Sequence, residues 1–293
     1  MRIGTHNVNG IRATMKRGFK EFWASAGADV VCLQEVRCRA KDLPLDAFDG
    51  WHAILELGQL AGRNGVAILT RQPPAAVRTI HGGGAHVVAD GELQDIPTEA
   101  TGGRDLQPAA THGRYLEVDL ADAPLRVASL YLPKGSAFPY DGEDEPKYKF
   151  KMRFLRGLAR QLTASRRDAA RQGREFLVVG DFNIARSKLD IKNWRSNQKS
   201  EGFLPEERDW IASVLGPRTL VDVQRQLAGD VDGPYSWWSW RGQAFTNDAG
   251  WRIDYHLASP GLAKAATAAL TAREASYDAR LSDHAPVIVD YAL

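Results

Sequence analysis

Asp181 and Asn183 stand one residue apart at the end of an apolar run, Val178-Val179-Gly180-Asp181-Phe182-Asn183. In an extended segment that spacing puts both side chains on one side, so a carboxylate and an amide can face the same phosphate or water. The pair then has the parts of a general base and an orienting partner. Glu35 closes a second run, Val31-Cys32-Leu33-Gln34-Glu35. A hard divalent cation that keeps several waters needs only one or two carboxylates besides substrate phosphate, and Glu35 can supply one. His284, in Ser282-Asp283-His284-Ala285-Pro286, could stabilise charge developing on a pentavalent phosphorus if a carboxylate kept its imidazole protonated. Asp254, in Trp251-Arg252-Ile253-Asp254-Tyr255, is the candidate for that carboxylate. Asn7 and Asn9 close a further run, and Tyr131 another. Singly, an Asp or Asn at a strand end reads first as a turn former, because its side chain caps nearby backbone amides. Only together do these residues point to chemistry.

Such a set needs strands whose ends meet, since an α/β framework presents its sites there. Short segments rich in apolar and β-branched residues predict strands over Ile3 to Val8, Asp29 to Leu33, Gly65 to Thr70, Tyr115 to Leu120, Arg126 to Leu132, Phe176 to Val179, Trp251 to Ala258 and Pro286 to Tyr291. Phe150, Phe154, Leu158 and Leu162 recur every fourth residue and predict a helix over Lys147 to Arg171. Some strands follow one another without a helix between, as across Ala121-Asp122-Ala123-Pro124, so antiparallel pairs are expected. Two packed sheets with outer helices fit this order better than one parallel sheet. The polar segment from about 81 to 113, opened by Gly82-Gly83-Gly84, is long for a structureless connection and is read as a mobile surface insertion. His81, His86 and His112 in it are read as solvated loop histidines.

Composition sets outer bounds. The 293 residues suit one large two-sheet domain spanning 1–293. With 38 basic and 36 acidic residues the net charge is +2, so charge alone does not announce a nucleic-acid partner. Cys32 and Cys38 are expected to be one buried thiol and one loop thiol in a reducing compartment, with no further cysteines for a zinc site. Neither a signal peptide nor a membrane-spanning run is visible, so a cytoplasmic protein without membrane contact is expected. The phosphate loop Gly-x-x-x-x-Gly-Lys-Ser/Thr, the elbow Gly-x-Ser-x-Gly and the zinc motif His-Glu-x-x-His are all missing.

Taken in order, Asn7-Val8-Asn9-Gly10, Leu33-Gln34-Glu35, Tyr131-Leu132-Pro133-Lys134-Gly135, Gly180-Asp181-Phe182-Asn183, Trp251 to Tyr255 and Ser282-Asp283-His284 resemble the motifs of the endonuclease/exonuclease/phosphatase superfamily. Asp190-Ile191-Lys192-Asn193-Trp194, Gly202 to Arg208 and Trp237 to Tyr255 resemble its exonuclease III branch, the abasic-site endonucleases. The resemblance implies a DNase I-like four-layer α/β sandwich, with two mixed sheets face to face and helices outside. It implies Mg2+, with Mn2+ able to substitute, bound by Glu35 with Asn7, Asn9 and Asp283 near it. Asp181 would activate water with help from Asn183, and Tyr131 would contact the scissile phosphate or assist the leaving oxygen. His284, held by Asp254, would stabilise the phosphorane. Asn197 stands where the family has a DNA-contacting amide. Trp237, Trp251 and Ile253 would line a pocket for an extrahelical abasic sugar, although the same residues also read as core.

The implied partner is double-stranded DNA with an abasic site or a damaged or recessed 3′ end, met by a monomer. Lys134 and other basic residues are candidate phosphate contacts. Arg186 stands where many relatives carry histidine, and it could alter substrate choice. Three other readings remain open: a 3′ exonuclease or 3′ phosphatase with little abasic-site incision, a superfamily phosphatase acting on a non-DNA substrate, and a silent binding module on the same fold. The intact set of Glu35, Asp181, Asn183, Asp254 and His284 argues against the last.

Overall fold

The computed structural model describes residues 1–60 and 62–293. Its strands are β1 (Arg2–Asn7), β2 (Val30–Gln34), β3 (His52–Glu56), β4 (Val66–Thr70), β5 (Ala76–Ile80), β6 (Ala85–Ala89), β7 (Glu92–Ile96) and β8 (Glu99–Thr101). They continue with β9 (Tyr115–Asp119), β10 (Leu125–Tyr131), β11 (Glu175–Asp181), β12 (Val221–Asp222), β13 (Asp254–Ala258), β14 (Ala266–Thr271) and β15 (Val287–Tyr291). The α-helices are α1 (Ile11–Met15), α2 (Phe19–Ala26), α3 (Asp144–Arg171), α4 (Pro205–Val214), α5 (Val223–Ala228) and α6 (Pro260–Lys264). One mixed sheet has the order β14-β15-β1-β2-β4-β3-β6-β7, and the other β12-β13-β11-β10-β9-β5-β8.

The central strands are buried on both faces, and their alternation sorts side chains into layers. Cys32 of β2, Val127 of β10, and Leu177 and Val179 of β11 point into the core between the sheets. Their neighbours Val31 and Leu33 point outward onto Phe19 and Trp23 of α2. Ala128, Leu130, Phe176 and Val178 point outward onto Phe154, Leu158 and Leu162 of α3. The result is the expected four-layer sandwich, with α2 and α3 on opposite outer faces.

Several local expectations change. The segment over 81–113 is not structureless: β6 pairs with β3 and β7 with β6, which widens the first sheet, while β8 pairs with β5 in the second. Beyond β8, Leu106 and Ala109 are buried against α3, and a Cβ on Gly157 would come within 2.8 Å of Leu106 Cγ, so glycine lets the segment dock there. These strands escaped the sequence reading because their half-exposed faces break up the apolar run that marks a buried strand. Helix α3 begins three residues earlier than expected, because Pro146 is tolerated in a first turn that needs no backbone donor. Residues Trp251 to Ile253 precede β13 rather than forming its start. Cys38 is buried as well as Cys32, and both are free thiols. Among the described residues no helix is long and apolar enough to cross a membrane.

Candidate active site

Strand direction brings the polar set together. The parallel pair β1/β2 ends with Asn7 opposite Gln34, and the parallel pair β10/β11 ends with Tyr131 opposite Asp181. Strand β13 runs antiparallel to β11, so its first residue, Asp254, lies opposite Asp181. Strand β15 runs antiparallel to β1, which leaves Asp283 and His284, just before it, at the same edge. Residues distant in sequence therefore converge where the ends of both sheets meet.

Asn7 ties the two sheets together. Its buried amide donates to Glu35 Oε1 at 3.0 Å and to Asp181 Oδ2 at 2.9 Å, and its Oδ1 accepts from the Asn9 N–H at 3.0 Å. Asp181 Oδ1 accepts from the Asn183 N–H at 2.8 Å, and Asn183 Nδ2 donates to Leu132 O at 2.9 Å and to Asp181 Oδ2 at 3.2 Å. Asn183 thus faces Asp181, but not through an extended pleat: β11 has ended and Asn183 sits at φ 48°. Asn9 and Glu35 are also left-handed, at φ 44° and 52°. Such conformations cost free energy and gather at sites where geometry is held for a purpose. In the second layer, Asp254 Oδ2 accepts from His284 Nδ1 at 2.9 Å and from Ser236 Oγ at 2.6 Å. His284 Nε2 is left pointing toward Asp181 Oδ2 at 3.8 Å.

These contacts set the charges. Burial would push His284 down, but Asp254 and then Asp181 outweigh it and raise the imidazole to about 10, so it is a cation at neutral pH. Burial raises the Asp181 carboxyl to about 7; His284 opposes this, and the negative charges of Asp254 and Glu35 add to it. Tyr131 is raised well above the ordinary phenol value by burial and by Glu35 and Asp181, so its O–H remains a donor.

The set floors a cavity of about 350 Å³, where Glu35, Tyr131, Asp181, Asn183, Asp283 and His284 are accessible. Trp237, Trp251 and Ile253 form one wall, and Lys134, Asn197 and Asn9 reach the edge. The two wall indoles meet edge to face at 6.0 Å and pack with Ile253 on Ala185, Ile191 and Phe203. These residues are packed as core on one side while they also line the cavity. Asn7 and Asp254 lie behind the floor and are not part of its lining. Arg186 does not line the cavity either; its guanidinium lies 3.9 Å from Asp222.

The donor set fits a hard cation. Glu35 Oε2 is buried and accepts no hydrogen bond, and only the Arg37 guanidinium stands against it. Asp283 is engaged by Asn9 Nδ2 at 2.8 Å and Trp237 Nε1 at 3.1 Å. A carboxylate oxygen held by an ion pair alone, among further oxygen donors, suits an ion that keeps much of its water. Among the described residues no three His, Cys, Asp or Glu side chains form a metal cage. Within the 81–113 segment, His86 pairs with Asp95 at 2.6 Å and His81 with Gly103 O at 3.2 Å.

Sequence reasoning passed over the braces. Ser236 fixes Asp254, and Arg37 donates to Asn9 Oδ1 at 2.5 Å. Lys151, wholly buried, donates to the carbonyls of Lys134 at 2.8 Å and Asn183 at 3.0 Å. Arg252, between the wall residues Trp251 and Ile253, is buried with Asp190 at 2.6 Å and Asp222 at 2.7 Å. Only Arg252 had a signal, a cation inside an otherwise apolar run.

The fold and the relatives that share it define a phosphoester hydrolase. The chain belongs to the endonuclease/exonuclease/phosphatase family, whose model matches residues 4–284. It is 28% identical to exodeoxyribonuclease III of Haemophilus influenzae over 300 residues, 99% of this chain and 100% of that protein. It is 24% identical to a DNA-(apurinic or apyrimidinic site) endonuclease of Dictyostelium discoideum, covering 89% of this chain and 63% of that protein. The structure of a 3′-5′ exonuclease from Neisseria meningitidis superimposes with a TM-score of 0.78 at 27% identity, covering all of both chains.

Proposed function

We propose that the chain is a divalent-metal-dependent DNA repair nuclease of the exonuclease III type. It hydrolyses phosphodiesters at abasic sites and removes nucleotides or blocking groups from 3′ ends. The observation that carries this is the buried chain Asp254–His284–Asp181, with Asn7 and Asn183 on the same carboxylate, at the floor of an aromatic-walled cavity.

In this reading Asp181, once ionised, takes the proton of the attacking water while Asn183 and Asn7 hold the carboxylate in place. His284, kept cationic by Asp254, donates to an oxygen of the five-coordinate phosphorus. Tyr131, still protonated, hydrogen-bonds the phosphate or the leaving oxygen. Glu35 would hold the cation, magnesium or manganese, with Asn7, Asn9 and Asp283 around it, and the ion would neutralise phosphate charge as a Lewis acid. Trp237, Trp251 and Ile253 would receive a base-less sugar, while Lys134 and Asn197 meet the backbone. A protein restricted to 3′-end trimming would share this floor and differ at the wall.

The test uses labelled duplexes carrying an internal abasic analogue, a recessed 3′ hydroxyl or a 3′ phosphate, each with magnesium or with chelator. Magnesium-dependent cleavage of the abasic and 3′-end substrates is expected. No cleavage of any of them with magnesium would overturn the nuclease reading, and trimming without internal incision would favour the 3′-end alternative.

A further inference from the structure

We propose that Phe138 is a base-stacking residue that reads an uncovered nucleobase next to the cavity. The proposal rests on the DNA reading above and adds to it a contact outside the acid-base centre. Phe138 keeps 50% of its surface exposed.

The ring is not loose. Its backbone N–H donates to Lys199 O at 2.8 Å, which fastens it to the loop whose Asn197, Ser200 and Glu201 line the cavity. Tyr140 meets the ring edge-on at 5.4 Å and 86°. Tyr140 is in turn stacked on Tyr148 of α3 at 3.8 Å and 6°. Glu206 of α4 accepts from both phenols, at 2.7 Å from Tyr140 and 2.8 Å from Tyr148. Two helices thus foot a three-ring ledge whose outermost ring is open. Lys199 Nζ lies over that ring, 5.4 Å from its centroid, so an ammonium stands close to any base taken up there.

An exposed, braced ring with a cation beside it matches the chemistry of nucleic-acid stacking platforms, where the ring takes the base and the cation the backbone. Duplex DNA rarely offers a free base face, because each base is covered by its neighbours. Free faces arise beside a missing base and at a strand terminus. Those are the two places where the proposed substrate is damaged. Phe138 would therefore add discrimination for damaged over intact duplex without touching the scissile phosphate.

Equilibrium binding with chelator present tests this without turnover. The probes are two pairs of labelled duplexes: an internal abasic analogue with its flanking bases present or replaced by base-less residues, and a recessed 3′ end with or without its terminal base. Phe138→Ala is expected to weaken binding by about 5- to 100-fold on the base-bearing member of a pair and to leave the base-less member unchanged. Phe138→Trp is expected to retain the parental affinity, and an unchanged melting temperature in Phe138→Ala separates lost stacking from misfolding. The pair that responds identifies the base that is read. An equal loss on both members of each pair, or no loss on any, overturns the proposal. Failure of the parent protein to bind any of the duplexes would instead remove the DNA reading beneath it.

Discussion

The floor of the cavity and its wall are built differently. Floor residues sit at or just beyond strand ends and are tied to residues behind them: Asn7 bridges Glu35 and Asp181, and Asp254 anchors His284. The wall and rim come from connections: Trp237 and Trp251 precede β13, and Lys134 and Asn197 stand on exposed loops. These are braced from behind by Arg252 with Asp190 and Asp222. The floor can thus fix the chemistry while the wall fixes what reaches it. A change in the floor should lower the rate on every substrate, whereas a change in the wall should alter their ranking.

The largest effect is expected at the floor. Asp181→Asn should reduce turnover by roughly 10³-fold or more while largely sparing DNA binding, as measured by single-turnover hydrolysis beside equilibrium binding. Unchanged turnover would remove Asp181 from the mechanism. Next comes the pH profile. Asp181 works ionised and His284 works protonated, so the rate should rise with pH through about 7 and fall through about 10. A bound cation adds positive charge beside Asp181 and should move the acid limb lower. His284→Asn should cost roughly 10²-fold or more and remove the alkaline limb; a limb that persists would assign it to another group.

Smaller effects belong to the wall. Trp251→Ala should weaken incision at an abasic site by roughly tenfold or more and trimming at a recessed 3′ end by less. Lys134→Ala should change least: the slope of log affinity against log salt should fall by about one phosphate contact, with substrate ranking unchanged. A change in ranking would make Lys134 a reader of damage rather than a backbone contact.

The same contrast explains what the sequence made legible. The floor residues were readable because each follows or precedes an apolar run that can only be a buried strand, and their chemistry follows from residue type. The wall was readable only through resemblance, because an indole such as Trp251 looks the same whether it faces a core or a cavity, and here it does both. The braces were hidden: nothing local in Ser236, Arg37 or Lys151 says which backbone or carboxylate it will meet across the fold. The neighbour of Arg186 was hidden for the same reason, since Asp222, 3.9 Å away, is distant in sequence. The 81–113 segment hid its strands because strands with half-exposed faces lack the continuous apolar run that marked the central ones.

The division of labour is tested most directly by one ratio: the single-turnover rate on an abasic duplex over that on a recessed 3′ end, with magnesium, for the parent, Asp181→Asn and Trp251→Ala. The expected result is an equal fractional loss on both duplexes for Asp181→Asn, leaving the ratio unchanged, and a shifted ratio for Trp251→Ala. A loss confined to one duplex for Asp181→Asn, or an equal loss on both for Trp251→Ala, would contradict it.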